Sequence, residues 1–241
     1  MTILDRVNRA LPTWLTEKVP RDHWESDAAF HRRRRVVAGT ALAGAGVLGA
    51  SLSTKPDSAQ FYGLTAATAA TWVVGGLVSG PLHLGRIRSP GGTLRRPVIT
   101  PVVLGVGAFG LFYGAALVAR RMPVLDRAIS SVLQYADQGD DRLVLLTTLT
   151  NGAAEEVFFR GALYAALHEK NSVVASTGVY MLATVATRNP ALVLASGVMG
   201  ALFGLQRRAS GGIQAPLLTH LTWSSLMLRY LPPLFRRDPK G

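Results

Sequence analysis

The chain contains no cysteine. That excludes disulfides, a thiolate nucleophile and any zinc site built on Cys ligands. It also lacks a His-Glu-x-x-His segment, the usual helix-borne zinc protease signature. Acidic residues are scarce: 14 Asp and Glu stand against 26 Lys and Arg. Only 17% of the 241 residues are charged, whereas 49% are hydrophobic and mean hydropathy is +0.25. That balance argues against a soluble protein. No internal repeat or long low-complexity tract is present, so the repeat signature of many secondary transporters is missing.

What the chain does have is long apolar runs rich in Gly and Ala. The net charge of +12 comes mostly from Arg, and these residues cluster between the runs rather than along one face. Membrane-flanking charge accounts for that pattern, and binding of nucleic acid is not expected. The runs Val36–Ser53, Phe61–Leu82, Pro97–Val118, Leu143–Leu167, Val173–Thr187, Pro190–Leu205 and Ile213–Leu231 approach the ~20 residues of a bilayer-spanning helix. The expected fold is an all-α, polytopic integral membrane helical bundle of about seven spans, within a range of six to eight. Residues 1–35 read as a polar N-terminal tail, in which Leu11, Trp14 and Leu15 give a weak interfacial-helix signal. Residues 36–120 hold the first membrane helices, 121–142 an amphipathic connector, 143–231 the second membrane half and 232–241 a C-terminal tail. Gly76 and Gly80 lie four apart, as do Gly110 and Gly114, a spacing that lets helix backbones approach closely. Arg32–Arg35 ahead of the first span place the N-terminus in the cytoplasm of a cell-membrane protein. Arg120 and Arg121, after the third span, do not fit that orientation.

One stretch breaks the apolar pattern. In "NGAAEEVFFRGALYAAL", residues 151–167, Glu155 and Glu156 are adjacent and Arg160 follows. Glu156 and Arg160 are four apart and share a helix face. Glu155 points about 100° away. A charge at the bilayer centre costs about 2.5–3.5 kcal/mol on insertion scales. The simplest division pairs Glu156 with Arg160 and leaves Glu155 free to face a cavity.

A second polar feature lies in "GGIQAPLLTHLTWSSLM", residues 211–227. His220 sits in an apolar helical run beside Thr219 and Thr222, with Ser224 one turn later on the same face. Pro216, one turn earlier, is placed to kink the helix. His23 and His31 fall in the polar N-terminus, and His168, 13 residues beyond Glu155, lies about 20 Å away along a continuous helix; only His83 is a remote candidate.

"EEVFFRG" and "GLQRRASGGIQAPLLTHLTWSS" together resemble the CPBP intramembrane proteases, the type II CAAX prenyl endopeptidases and their Abi bacteriocin-immunity relatives. The first segment is similar to the family's Glu-Glu-x-x-x-Arg motif, and the second to the region leading to its His-x-x-x-Asn motif. The resemblance covers roughly residues 140–230. It implies that the first Glu, here Glu155, and a middle His activate water, while the last His, here His220, and an Asn hold the oxyanion. Two positions depart. The family's Phe-x-x-x-His motif reads Tyr180-x-x-x-Thr184, and His-x-x-x-Asn ends at Ser224.

The resemblance therefore implies an intramembrane endopeptidase acting on a membrane-associated peptide or protein. Glu155 would be the base, His220 and Ser224 oxyanion donors, Arg160 the anchor of Glu156, and Thr184 a water holder that cannot take a proton. Activity below that of a three-motif enzyme is expected. No cofactor is expected; zinc is the alternative, although catalytic zinc usually wants three protein ligands. A second reading is a non-cleaving protein of the same fold that binds a partner or confers bacteriocin immunity. A transporter is a weaker third.

Overall fold

The computed structural model describes residues 25–89, 92–167 and 171–236. The weak signal at Leu11, Trp14 and Leu15 lies outside them. Among the described residues the protein is all-α apart from one small hairpin. The helices are α1 (Asp27–Ser51), α2 (Ala59–Ser79), α3 (Ile99–Ala119), α4 (Pro123–Gln138), α5 (Asp141–Glu155), α6 (Ser172–Val185), α7 (Pro190–Ser210), α8 (Gln214–Tyr230) and α9 (Pro232–Phe235). A π-helix, Glu156–Leu163, continues α5 without a break. Strands β1 (Ile87–Arg88) and β2 (Leu94–Arg95) pair antiparallel.

Short polar side chains set several helix starts. Ser26 accepts from Ala29 N–H, Ser58 from Phe61 N–H, and Asp140 from the N–H groups of Arg142 and Leu143. Asn189 caps α7 and Pro190 follows at its first turn, where a missing N–H costs nothing. The Ser26 cap starts α1 nine residues before the apolar run, so residues 27–35 of the supposed tail are helical. Arg33 is buried there. It pairs with Glu25 and donates to Ser79 Oγ (3.1 Å) and to the carbonyl of Pro81 (3.2 Å). Its neutralised charge closes the end of α2.

Among the described residues, three helices are long and apolar enough to cross a membrane: Ala59–Ser79, Ile99–Ala119 and Pro190–Ser210. Helix α3 shows the setting most clearly. Its window has mean hydropathy 2.1 yet is only 11% buried, and Val103, Leu111 and Val118 are each more than 60% exposed. Apolar side chains turned outward in this way suit lipid, because hydrocarbon imposes no cost on them.

The core forms where α1, α2, α6 and the π-helix meet. Trp72 is fully buried and stacks on Phe158 with ring centroids 4.7 Å apart, and Phe159 packs beside them. The close approach depends on Gly76, where an added Cβ would lie 2.7 Å from Val157. Gly110 and Gly114, by contrast, meet nothing within 4 Å.

Each end of the bundle is laced by loops. At one end, Arg86 N–H donates to the Ser210 carbonyl, and the N–H groups of Ile213 and Gln214 to those of His83 and Leu84. The hairpin is thereby tied to the α7–α8 turn. At the opposite end, α4 lies against the chain ends of its neighbours. Tyr135 donates to the carbonyls of Leu52 and Thr54, Asn189 donates to that of Ala128, and Arg236 pairs with Asp137. Beneath α4 lies a cavity of about 630 Å³, lined mainly by apolar side chains including Leu133, Val198, Trp223 and Met227.

Candidate active site

The site begins where α5 widens. Residues up to Glu155 follow α-helical geometry, and from Glu156 the turn opens to i→i+5 spacing. Seven of the eight π residues are buried, including Glu156 and Arg160. Single-turn π segments of this kind recur at functional sites. The change of period falls between the two carboxylates, which bond to different partners.

Glu156 is fully buried. Its Oε1 accepts from Arg160 Nη1 at 3.2 Å and lies 2.8 Å from His220 Nδ1. The expected Glu156–Arg160 pair therefore forms, with a third member that joins α8 to the π-helix. Arg160 lies over the rings of Tyr180 (4.6 Å) and Phe203 (4.9 Å). Aromatic faces stabilise a desolvated guanidinium in that position. Arg160 Nε and Nη2 and Glu156 Oε2 make no hydrogen bond. Toward the hairpin end, the Arg160 carbonyl accepts from Arg207 Nε at 2.7 Å.

His220 is 5% exposed. Phe203 stacks on its imidazole at 4.8 Å and Trp223 flanks it at 5.9 Å. Its Nε2 faces α5 at Gly152, where an added Cβ would stand 3.4 Å away. With Glu156 ionised, its carboxylate only accepts, so Nδ1 must carry the proton. That bond fixes the ring and turns Nε2 toward the segment carrying Glu155. His220, Glu156 and Arg160 all lie within electrostatic range of Glu155.

Glu155 is not free, as the spacing argument expected. It is half-buried, and Tyr180 Oη donates to its Oε2 at 2.6 Å. Thr184 is buried one turn further along α6, but its hydroxyl donates to the Tyr180 carbonyl at 2.8 Å. Ser224 is buried one turn beyond His220 and lines the apolar cavity with Trp223. Two residues that sequence reasoning passed over enter here. Phe203 is indistinguishable in sequence from any apolar helix residue. Tyr180 did carry a signal, because it stands where the middle motif has Phe.

Among the described residues, no group of three or more His, Cys, Asp or Glu side chains is arranged to hold a metal ion. Glu156 and His220 already bond to one another, which removes two donors from any such set.

Residues 142–226 match the family model described as type II CAAX prenyl endopeptidase Rce1-like. No curated protein and no solved structure matches the chain. The matched region contains Glu155, Glu156, Arg160, Tyr180, Thr184, His220 and Ser224. Residues 142–226 are thus similar to the CPBP/CAAX protease family, and the remainder of the chain is outside the match.

Proposed function

We propose that the protein is a metal-free intramembrane endopeptidase in which Glu155 activates water and His220 stabilises the oxyanion. One observation carries this reading. Glu155 and His220, 65 positions apart, come within electrostatic range in a buried site, with Nε2 turned toward the Glu155 segment. In the reaction, water oxygen bonds to the scissile carbonyl carbon as one water proton passes to Glu155. The carbonyl oxygen takes the negative charge, and His220 Nε2–H and the Ser224 hydroxyl donate to it. The C–N bond then breaks, and the proton held by Glu155 goes to the leaving nitrogen. Because Nδ1 already donates to Glu156, His220 serves the oxyanion only as the imidazolium. The substrate is a membrane-associated peptide or protein, and the cavity beneath α4 takes an apolar part of it.

The test is turnover of prenylated and unprenylated peptide libraries by purified protein in nanodiscs. We expect cleavage by the native chain and its loss in Glu155→Ala and His220→Ala. Equal turnover by all three, or none by any, sinks the reading. A second reading, a non-cleaving protein of the same fold that binds a partner or confers bacteriocin immunity, is favoured by one observation: Thr184 stands where the middle motif has His. Absence of turnover together with retained folding supports it.

The same proposal extends to the membrane. Seven passes alternate between the two laced ends: α1, α2, α3, α5 with the π-helix, α6, α7 and α8. The cell membrane holds the hairpin end, with Arg32–Arg35, Arg88, Arg95 and Arg208, in the cytoplasm. The chain has no native cysteine, so single substitutions report sidedness cleanly. In intact cells an impermeant maleimide should label Lys55→Cys and spare Ser89→Cys until lysis. The reverse pattern overturns the orientation.

A further inference from the structure

The middle motif's polar position, Thr184, makes no hydrogen bond to Glu155 among the described residues. Its hydroxyl is spent on the Tyr180 carbonyl within its own helix, and a threonine there cannot reach as far as an imidazole. Yet Glu155 does not lack a partner from α6. Tyr180 reaches it from one turn earlier, where the motif otherwise carries a ring without a hydroxyl, and closes a 2.6 Å bond to Oε2. The ring that delivers this hydroxyl is itself held firmly. Phe159 packs against it at 4.6 Å and the Arg160 guanidinium lies over its face at 4.6 Å. Tyr180 is the only hydrogen-bond partner of Glu155 among the described residues.

We propose that Tyr180 is the positioning residue for Glu155 in this chain, the polar contact of the middle motif having moved one helical turn, from position 184 to position 180. The proposal rests on Glu155 being the base. Tyr180 keeps its proton and donates it only as a hydrogen bond. Holding Oε2 leaves Oε1 as the oxygen that meets water, and fixes the carboxylate plane against rotation. A phenol cannot exchange protons with water at neutral pH as an imidazole does, so the rearranged contact orients the base without relaying its proton.

The experiment uses the full chain in nanodiscs with ¹³C-carboxyl glutamate, and reads the carboxylate infrared bands. Glu155→Gln identifies the band of Glu155. We expect Tyr180→Phe to shift that band and Thr184→Ala to leave it in place. An unmoved band in Tyr180→Phe, or an equal shift in Thr184→Ala, overturns the proposal. Phenylalanine keeps the ring contacts with Phe159 and Arg160, and unchanged thermal unfolding verifies the fold. In turnover, Tyr180→Phe should lower kcat about tenfold or more with KM little changed, the size expected for one hydrogen bond to a charged group. Adding Thr184→His to Tyr180→Phe tests the change of position. We expect part of the lost turnover to return, and a double variant no better than Tyr180→Phe overturns that part of the proposal. If the native chain cleaves nothing, the infrared shift still decides the Tyr180 contact, and the peptidase reading falls alone.

Discussion

Glu156 is fully buried, and its Oε1 is shared by Arg160 and His220; Glu155, one residue earlier, is half-buried and takes a single bond from Tyr180. The two carboxylates share a sequence position to within one residue and differ in nearly everything else. The cause is local. Adjacent helical residues point about 100° apart, so their side chains diverge onto α6 and α8. A carboxylate with a cation and an imidazole on it is committed, because withdrawing it strands both partners in a dry core. A carboxylate with one neutral donor and partial access can still exchange a proton with water. The difference separates holding the site together from acting in it.

The comparison breaks most visibly at Glu156. Glu156→Ala strands the Arg160 guanidinium and frees the His220 ring, and should cost about 3–5 kcal/mol of stability, the size seen when one partner of a buried pair is removed. Thermal unfolding in detergent measures it. A loss below about 1 kcal/mol would show that the cluster is weakly held. Next in size is Gly76→Leu, which forces a side chain against Val157 beside Glu156. We expect a loss of about 1–3 kcal/mol, typical of overpacking. Gly110→Leu, on a face with no neighbour within 4 Å, should stay within about 0.5 kcal/mol of the native chain. The same unfolding assay separates the two glycines. Between the two glycine substitutions falls Glu155→Ala. It removes one hydrogen bond from a half-buried site and should cost only about 0.5–1.5 kcal/mol. If Glu155→Ala destabilises as much as Glu156→Ala, the division between the two residues is wrong.

Much of this arrangement was legible in the sequence. The apolar runs mark where the helices lie, and the run from Pro190 begins where α7 does. The cost of charge in an apolar run singled out Glu155, Glu156, Arg160 and His220 before any contact was known. The meeting of Glu156 with His220 across 64 positions was legible only through the resemblance of two motif segments. The rest depends on tertiary contacts that no local pattern encodes. The π-helix is stabilised by what surrounds Phe158 and Arg160, not by a propensity of "EVFFRGAL". The extension of α1 back to Asp27 depends on Glu25 and Ser79 meeting Arg33. Glu155 is not free because the Tyr180 hydroxyl, 25 residues away, reaches it, a tertiary contact that helix spacing does not encode. The glycine pairs show the same limit, since equal spacing gave a buried contact at Gly76 and open space at Gly110 and Gly114.

The most direct measurement is turnover per folded molecule for Glu155→Gln in nanodiscs. Glutamine keeps the size and the hydrogen-bonding oxygen of the side chain but cannot accept a proton from water. We expect an unfolding transition close to that of the native chain and no detectable peptide cleavage. Cleavage by folded Glu155→Gln at the native rate would contradict the assignment of Glu155 as the base.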